Sequence, residues 1–395
     1  MKRIFIIATL LAAFTFTAAA QTGAFQEAVS DYYRVFSEVS LTHAQETAER
    51  LDAYLELFNR HLHFDLSTLE TKLKVRVFSN KTNFDSYLSS LVPQKRDSFV
   101  FLQYRDLAKS ELLGFFMENE SFNKALVHHG FIQFLKAYIP NPPLWLQKGF
   151  AVYLEKSVYD AANQTAIYRE NLAWVRTLKN LISQDDASRL LDLSSLLSTD
   201  VDGANDKIEG FYAEAWGLVS FLANSSIKEY NRILWDSISA LSPEATMEEN
   251  GRAIATQVFR WIPADQALAD FQAYLGSVKT FPELVREGMG FYSDGKLESA
   301  EKSFLRAIER NEMHNIPYYY LGLINYSRNE HSLAEYYYLT SQQMGGDLGL
   351  TFYALGVNAF ADNRLNDAKS YLGKASDADP FGYSEKSDAL LQKIE

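Results

Sequence analysis

The 395-residue sequence contains no cysteine. That excludes disulfides, thiolate metal ligands, a cysteine nucleophile and a lipidated N-terminal cysteine. Proline is scarce, at nine residues, and charged residues make up only 22%, against 47% hydrophobic and 14% aromatic residues. This composition excludes a disordered or low-complexity chain. Positive charge is also in deficit: 38 Lys and Arg stand against 50 Asp and Glu, a formal net charge of −12. A surface of that sign argues against nucleic acid or an anionic membrane as partner. Beyond residue 20, no stretch is long and apolar enough to span a bilayer.

The apolar run at the start reads differently. Lys2 and Arg3 precede an apolar stretch from Ile4 to Phe16, and Ala18-Ala19-Ala20 stands before Gln21. A basic start, a short apolar centre and a small-residue end are the pattern of a cleaved secretory signal, expected over residues 1–20. The run falls short of the roughly 20 residues that a membrane anchor needs. Cleavage would remove two positive charges and no acid, taking the net charge from −12 to −14. The expectation is an exported protein, in a bacterial periplasm or secreted to the cell surface, with no stable membrane insertion once the signal is gone. An exported chain without disulfides needs a large core, and this length suffices for two or three domains of about 150 residues.

Along the chain, Tyr33–Ser40 and the alternating Leu73–Phe78 predict strands, followed by Ser98–Tyr104 and a weaker Leu112–Phe116. Helices are predicted over Ala44–Leu62, with Thr42 as cap, and over Asn83–Leu91. From Asn119 onward the pattern is almost wholly helical. Helices are expected from Asn119 to the prolines at 140, 142 and 143, over Trp145–Tyr159, Ala166–Ile182 and around Leu190–Leu197, and then over Glu209–Leu222 and Lys228–Leu241. Asp200–Asp206 reads as a polar loop. Mixed strands and helices followed by helices alone predict an α+β first domain, residues 21–280, and an all-α second one, residues 281–395.

The second region repeats. Gly288, Gly322 and Gly356 lie 34 residues apart, as do Ala300, Ala334 and Ala368. Phe304, Tyr338 and Leu372 share a bulky column, and Ala307, Ser341 and Ala375 share a small one. Small residues let helices approach, and the bulky one fills the gap between pairs. This pattern resembles the tetratricopeptide repeat, a stacked helix hairpin. Three units run from about residue 281 to 382, and residues 383–395 are expected to cap the stack. The resemblance implies a solenoid whose concave face binds a protein or peptide. Tyr319, Tyr320, Tyr336 and Tyr337 are the candidate contacts on it.

The candidate chemical site is the stretch from Ala125 to Glu155, two helices around a proline-marked turn. The first carries His128-His129-Gly130-Phe131-Ile132-Gln133, and the second carries Pro143, Trp145, Lys148, Gly149 and Ala151. This frame resembles the peptidase MA-like, or gluzincin, family of zinc peptidases. There the first helix bears H-E-x-x-H, often followed by Gln, and the second bears a Pro and W-x-x-E-G-x-A. The resemblance implies a thermolysin-like domain, a small sheet plus helices, over about Tyr33–Tyr274. Zinc in that family is held by both histidines and the second-helix Glu, while the Glu after the first His is the general base. In this sequence His128 matches the first ligand. His129 stands in place of the base, Ile132 in place of the second ligand and Lys148 in place of the third. Tyr212, in Phe211-Tyr212-Ala-Glu-Ala-Trp216, matches a Tyr that steadies the oxyanion in working members. Lys148 is expected to pair with an acid such as Glu155 or Glu214. No zinc or other cofactor is expected, and no catalytic residue.

The family also implies a sheet edge that accepts an extended substrate. If that edge is kept, Leu112 and Phe115 would line it. The expected function is a pseudopeptidase that binds a protein or peptide partner through the repeats, and also through the cleft. Two alternatives stay open: a metallopeptidase with a divergent zinc site, and a structural assembly protein built on the repeats.

Overall fold

The computed structural model describes residues 24–92, 99–183 and 191–394. The expected signal at residues 1–20 and the strand start at Ser98 lie outside them. The chain divides into two compact units. The described part of the first comprises residues 24–92, 99–171, 191–223 and 227–261; that of the second comprises residues 172–183, 224–226 and 262–394.

The first unit is built on a five-stranded sheet of β1 (Gln26–Val29), β2 (Tyr33–Ser37), β3 (Leu73–Phe78), β4 (Val100–Leu102) and β5 (Glu111–Phe115), in the order β1-β2-β3-β5-β4. The three central strands are parallel and the two outer ones antiparallel. A parallel pair needs a crossover, and α1 (Leu41–Leu62) supplies it between β2 and β3. It starts at Ser40, whose side chain accepts from the His43 N–H, rather than at the expected cap Thr42. One face of the sheet packs on α1 and on α3 (Asn119–Tyr138). The opposite face, toward its β4 end, is closed by α2 (Lys81–Ser89), where Phe84 and Leu88 meet Phe78, Leu113 and Phe115.

One expectation fails here. β5 is not an edge: it pairs with β3 on one side and β4 on the other, and Leu112 and Phe115 are buried. The backbone groups needed to receive an added strand are already used, so neither residue can line a peptide site. Among the described residues, the edge strands are β1 and the three-residue β4.

Two helix expectations and one loop expectation are also corrected. After α3, α4 (Leu144–Leu154) stops short of Tyr159, and β6 (Val158–Asp160) and β7 (Thr165–Ile167) form a hairpin instead. The β-branched pairs at these ends suit a strand, and Gln164 takes the left-handed turn with φ +53°. The helix expected from Ala166 begins only at Val175, as α5 (Val175–Ser183). Asp200–Asp206 is not a loop, because the Asp200 side chain accepts from Gly203 N–H and caps α7 (Val201–Asp206), which follows α6 (Leu193–Ser198). The unit continues with α8 (Ile208–Asn224), α9 (Lys228–Ser239) and α10 (Met247–Ala253).

The second unit is a helical repeat region. After α11 (Ala264–Ser277) come three hairpins: α12 (Phe281–Ser293) with α13 (Leu297–Arg310), α14 (Asn315–Ser327) with α15 (His331–Gln343), and α16 (Leu348–Ala361) with α17 (Leu365–Ala378). A further helix, α18 (Pro380–Leu391), packs on the end. The glycine column explains the pairing. A Cβ at Gly288 would lie 2.8 Å from the Phe304 ring, one at Gly356 2.8 Å from Leu372, and one at Gly322 would overlap Tyr338. Each turn inside a hairpin carries a residue at positive φ, at Gly295 (+72°), Asn329 (+63°) and Asn363 (+58°). These positions are 34 apart and hold the residue types that tolerate that conformation. α5 belongs with this unit: Lys179 donates to Val278 O at 2.7 Å and pairs at 3.1 Å with Glu283, the residue that boxes the start of α12.

Candidate functional site

The site forms where α3, α4 and α8 converge in the first unit. Gly149 allows α4 to lie directly on α8, since a Cβ there would overlap the Ala215 carbonyl oxygen. Gln133, the residue after the degenerate motif, donates to Lys74 O at 2.8 Å and ties α3 to β3. Trp145 and Trp216 are fully buried on either side of this contact. The two helices are therefore held as a rigid frame.

His128 and Glu155 form its centre. Nδ1 of His128 lies 3.1 Å from Glu155 Oε2, and Lys124 Nζ lies 3.3 Å from the other carboxylate oxygen. Asn171 Nδ2 donates to that second oxygen at 2.9 Å and to Val152 O at 2.8 Å. Burial alone would push the Glu155 carboxyl up, but the hydrogen bond and charge of His128, with Lys124, outweigh it and hold it below the ordinary range. Burial pulls His128 down, and Lys148 and Lys124 pull the same way against the opposing pull of Glu155. At neutral pH the pair is thus an ionised carboxylate accepting from a neutral imidazole. Nδ1 carries the proton, and Nε2 presents a lone pair.

His129 is a separate group. Its ring sits 4.9 Å from His128 and 6.2 Å from Phe99, and it makes no hydrogen bond among the described residues. Burial, reinforced by His128 and Lys148, holds it neutral. Lys148 is therefore close enough to both imidazoles to repel a proton from either. Ile132 is buried. Tyr212 on α8 is half-buried, and its hydroxyl is pushed up first by burial and then by the Glu155 charge, which puts it at the same centre. Glu214, two residues beyond Tyr212 on α8, accepts the Leu191 N–H with both carboxylate oxygens, at 3.0 and 3.1 Å.

The fold places His128, His129, Lys148 and Tyr212 around one centre. It adds Glu155, Lys124 and Asn171. Lys124 stands four residues before His128 on one helix face, a signal visible in the sequence. Asn171 gave none, because it arrives after the unforeseen hairpin. As a zinc site the positions do not fit: an aliphatic side chain and an ammonium replace two of three ligands, and the remaining His holds Glu155 with one ring nitrogen. Among the described residues, no group of three or more His, Asp or Glu side chains is placed to hold a metal ion.

The repeat tyrosines fall into two sets. Tyr319 and Tyr320 lie on α14, the first helix of the middle hairpin, and both are half-buried. Tyr336 and Tyr337 lie on α15, its second helix, where Tyr336 is 60% exposed. They do not share a helix with the first pair.

Among known families, one described as "Protein of unknown function" (DUF1570) matches residues 127–243, which takes in most of α3 and all of α4, α8 and α9. No curated protein matches the chain in sequence. Among solved structures, "First TPR of Spaghetti (RPAP3) bound to HSP90 peptide SRMEEVD" is similar at 15% identity and TM-score 0.28, covering 29% of this chain and 90% of its own. A likeness at that score defines neither fold nor ligand. No helix among the described residues is long and apolar enough to cross a membrane.

Proposed function

We propose that this protein is a non-catalytic relative of the gluzincin peptidases, exported after loss of residues 1–20, that uses its helical repeats to hold a protein or peptide partner. The observation that carries this reading is the replacement chemistry at the cleft. The helix pair is retained with its Gly149 contact and buried Trp145, while Ile132 and Lys148 occupy two ligand positions and Glu155 engages His128. Zinc hydrolysis needs a cation-binding donor set and a base beside it. Here the one carboxylate is already engaged by Lys124, His128 and Asn171, with Lys148 near both imidazoles, which disfavours a further cation. The repeats support the binding half of the reading, because stacked hairpins give an extended curved face with no chemistry of its own.

A second reading rests on the His128–Glu155 pair. A carboxylate-held imidazole with a free Nε2 is also the arrangement of a general base. The two readings separate in a hydrolysis assay. The purified chain, incubated with a mixed peptide library with and without added zinc, is expected to give no turnover above the rate of its His128→Ala variant. Turnover that disappears in that variant would overturn the binder reading in favour of an enzyme.

A further inference from the structure

The inner face of the repeats carries a continuous row of tyrosines. The first helix of one hairpin packs on that of the next, α12 on α14, and α18 packs on α16. Tyr292 of α12 meets Tyr320 of α14 edge-on at 5.4 Å, and Tyr320 meets its neighbour Tyr319 at 5.9 Å. Tyr353 of α16 lies 5.3 Å from Tyr383 of α18. Tyr319 and Phe352 of α16 pack on the same buried cluster of Ala334, Tyr338 and Leu355, which links the two groups.

All five rings are partly buried, and none of the five hydroxyls makes a hydrogen bond among the described residues. Other tyrosines of this unit do: Tyr318 donates to Glu312 O at 3.0 Å and Tyr371 to Glu335 at 2.9 Å. None of the five hydroxyls is cut off from solvent, so each stays open to a ligand that offers it an acceptor. The two central helices, Asn315–Ser327 and Leu348–Ala361, hold no charged residue at all. The α18 end is different. The charges of Asp347 and Asp379 both reach Tyr383 there, against a single ammonium, Lys386, lying 5.0 Å over its ring.

Resting on the reading of the repeats as a protein-binding surface, we propose that this tyrosine row takes an extended proline-rich segment bearing a basic residue at the end that meets Asp347 and Asp379. Proline rings pack on aromatic faces, and their carbonyls accept without a competing N–H, so each fits a tyrosine that offers a ring and a free hydroxyl. α14 and α16 offer no Lys or Arg to an acidic peptide. The two carboxylates provide the complement for a Lys or Arg.

The test uses the full chain and three fluorescein-labelled peptides read by anisotropy: decaproline ending in two arginines, decaproline ending in two glutamates, and an acidic peptide without proline. The arginine-tailed peptide is expected to bind at least tenfold tighter than either other. The Tyr319→Phe/Tyr353→Phe variant keeps the rings and the packing, and it is expected to lose at least fivefold of that affinity. Equal binding by wild type and variant overturns the proposal. A preference for the acidic peptide that the variant abolishes also overturns it, while leaving the repeats as a peptide-binding surface. No binding of any peptide counts against both the proposal and the reading beneath it.

Discussion

At the end of α4, one carboxylate gathers three donors. Glu155 receives Lys124, Asn171 and the Nδ1–H of His128, and so fixes which nitrogen of that imidazole is free. Lys148 lies close enough to both imidazoles to disfavour a proton on either. The neighbouring Glu214 gives the residue-scale prediction. Burial raises its carboxyl from 4.5 to about 7, against the Leu191 N–H and Lys207. Between those two values the folded chain holds a proton that the unfolded chain has released. Stability from this group is therefore full below pH 4.5, falls as the pH climbs to about 7, and stays lost above it. Glu214→Gln removes the charge and keeps an acceptor for Leu191. Urea denaturation at pH 8 is expected to find the variant more stable, by on the order of 2 kcal/mol, with the gap closing at pH 5. An equal gap at both pH values would contradict the assignment.

The hairpins of the second unit show how one column of glycines sets an element pair. Gly322 lies against Tyr338, whereas Gly290 on α12 has nothing within 4 Å of where a Cβ would stand. The same substitution therefore has opposite signs at the two places. Gly322→Ala is expected to cost about 1–3 kcal/mol by overpacking, and Gly290→Ala to add about 0.5–1 kcal/mol by helix propensity. Thermal melts of the two variants check both. The repeat was legible because its four columns recur every 34 residues and each has one steric cause. The fifth column, Gly295, Asn329 and Asn363, was there to be read as well, since only these residue types take the left-handed turn cheaply. The β6–β7 hairpin was not legible. Its strands are three residues each, too short to show an alternation, and their flanks carry helix-compatible residues. The interior position of β5 was equally hidden, because pairing order is set by β4, whose three residues give almost no signal of their own.

On the scale of the whole chain, composition and spacing fixed more than local pattern did. The helical repeats followed from their 34-residue period, but the boundary at 280 did not hold: residues 172–183 and 262–280, expected in the first domain, belong to the second unit. The central frame followed from Pro143, Trp145, Gly149 and Ala151, each of which has a packing reason to be there. What surrounds His128 required the fold, because Glu155 meets it only across the turn after α3, and Asn171 meets Glu155 only after the β6–β7 hairpin. The central claim is that the peptidase frame persists while the donor set has been exchanged. Zinc stoichiometry measured by mass spectrometry, on the wild-type chain and on its His129→Glu/Ile132→His/Lys148→Glu variant after equilibration with equimolar zinc, tests this directly. The variant is expected to retain about one zinc per chain in a tetrahedral His and Glu site, and the wild type essentially none. One zinc held by the wild type and lost in His128→Ala would contradict the account.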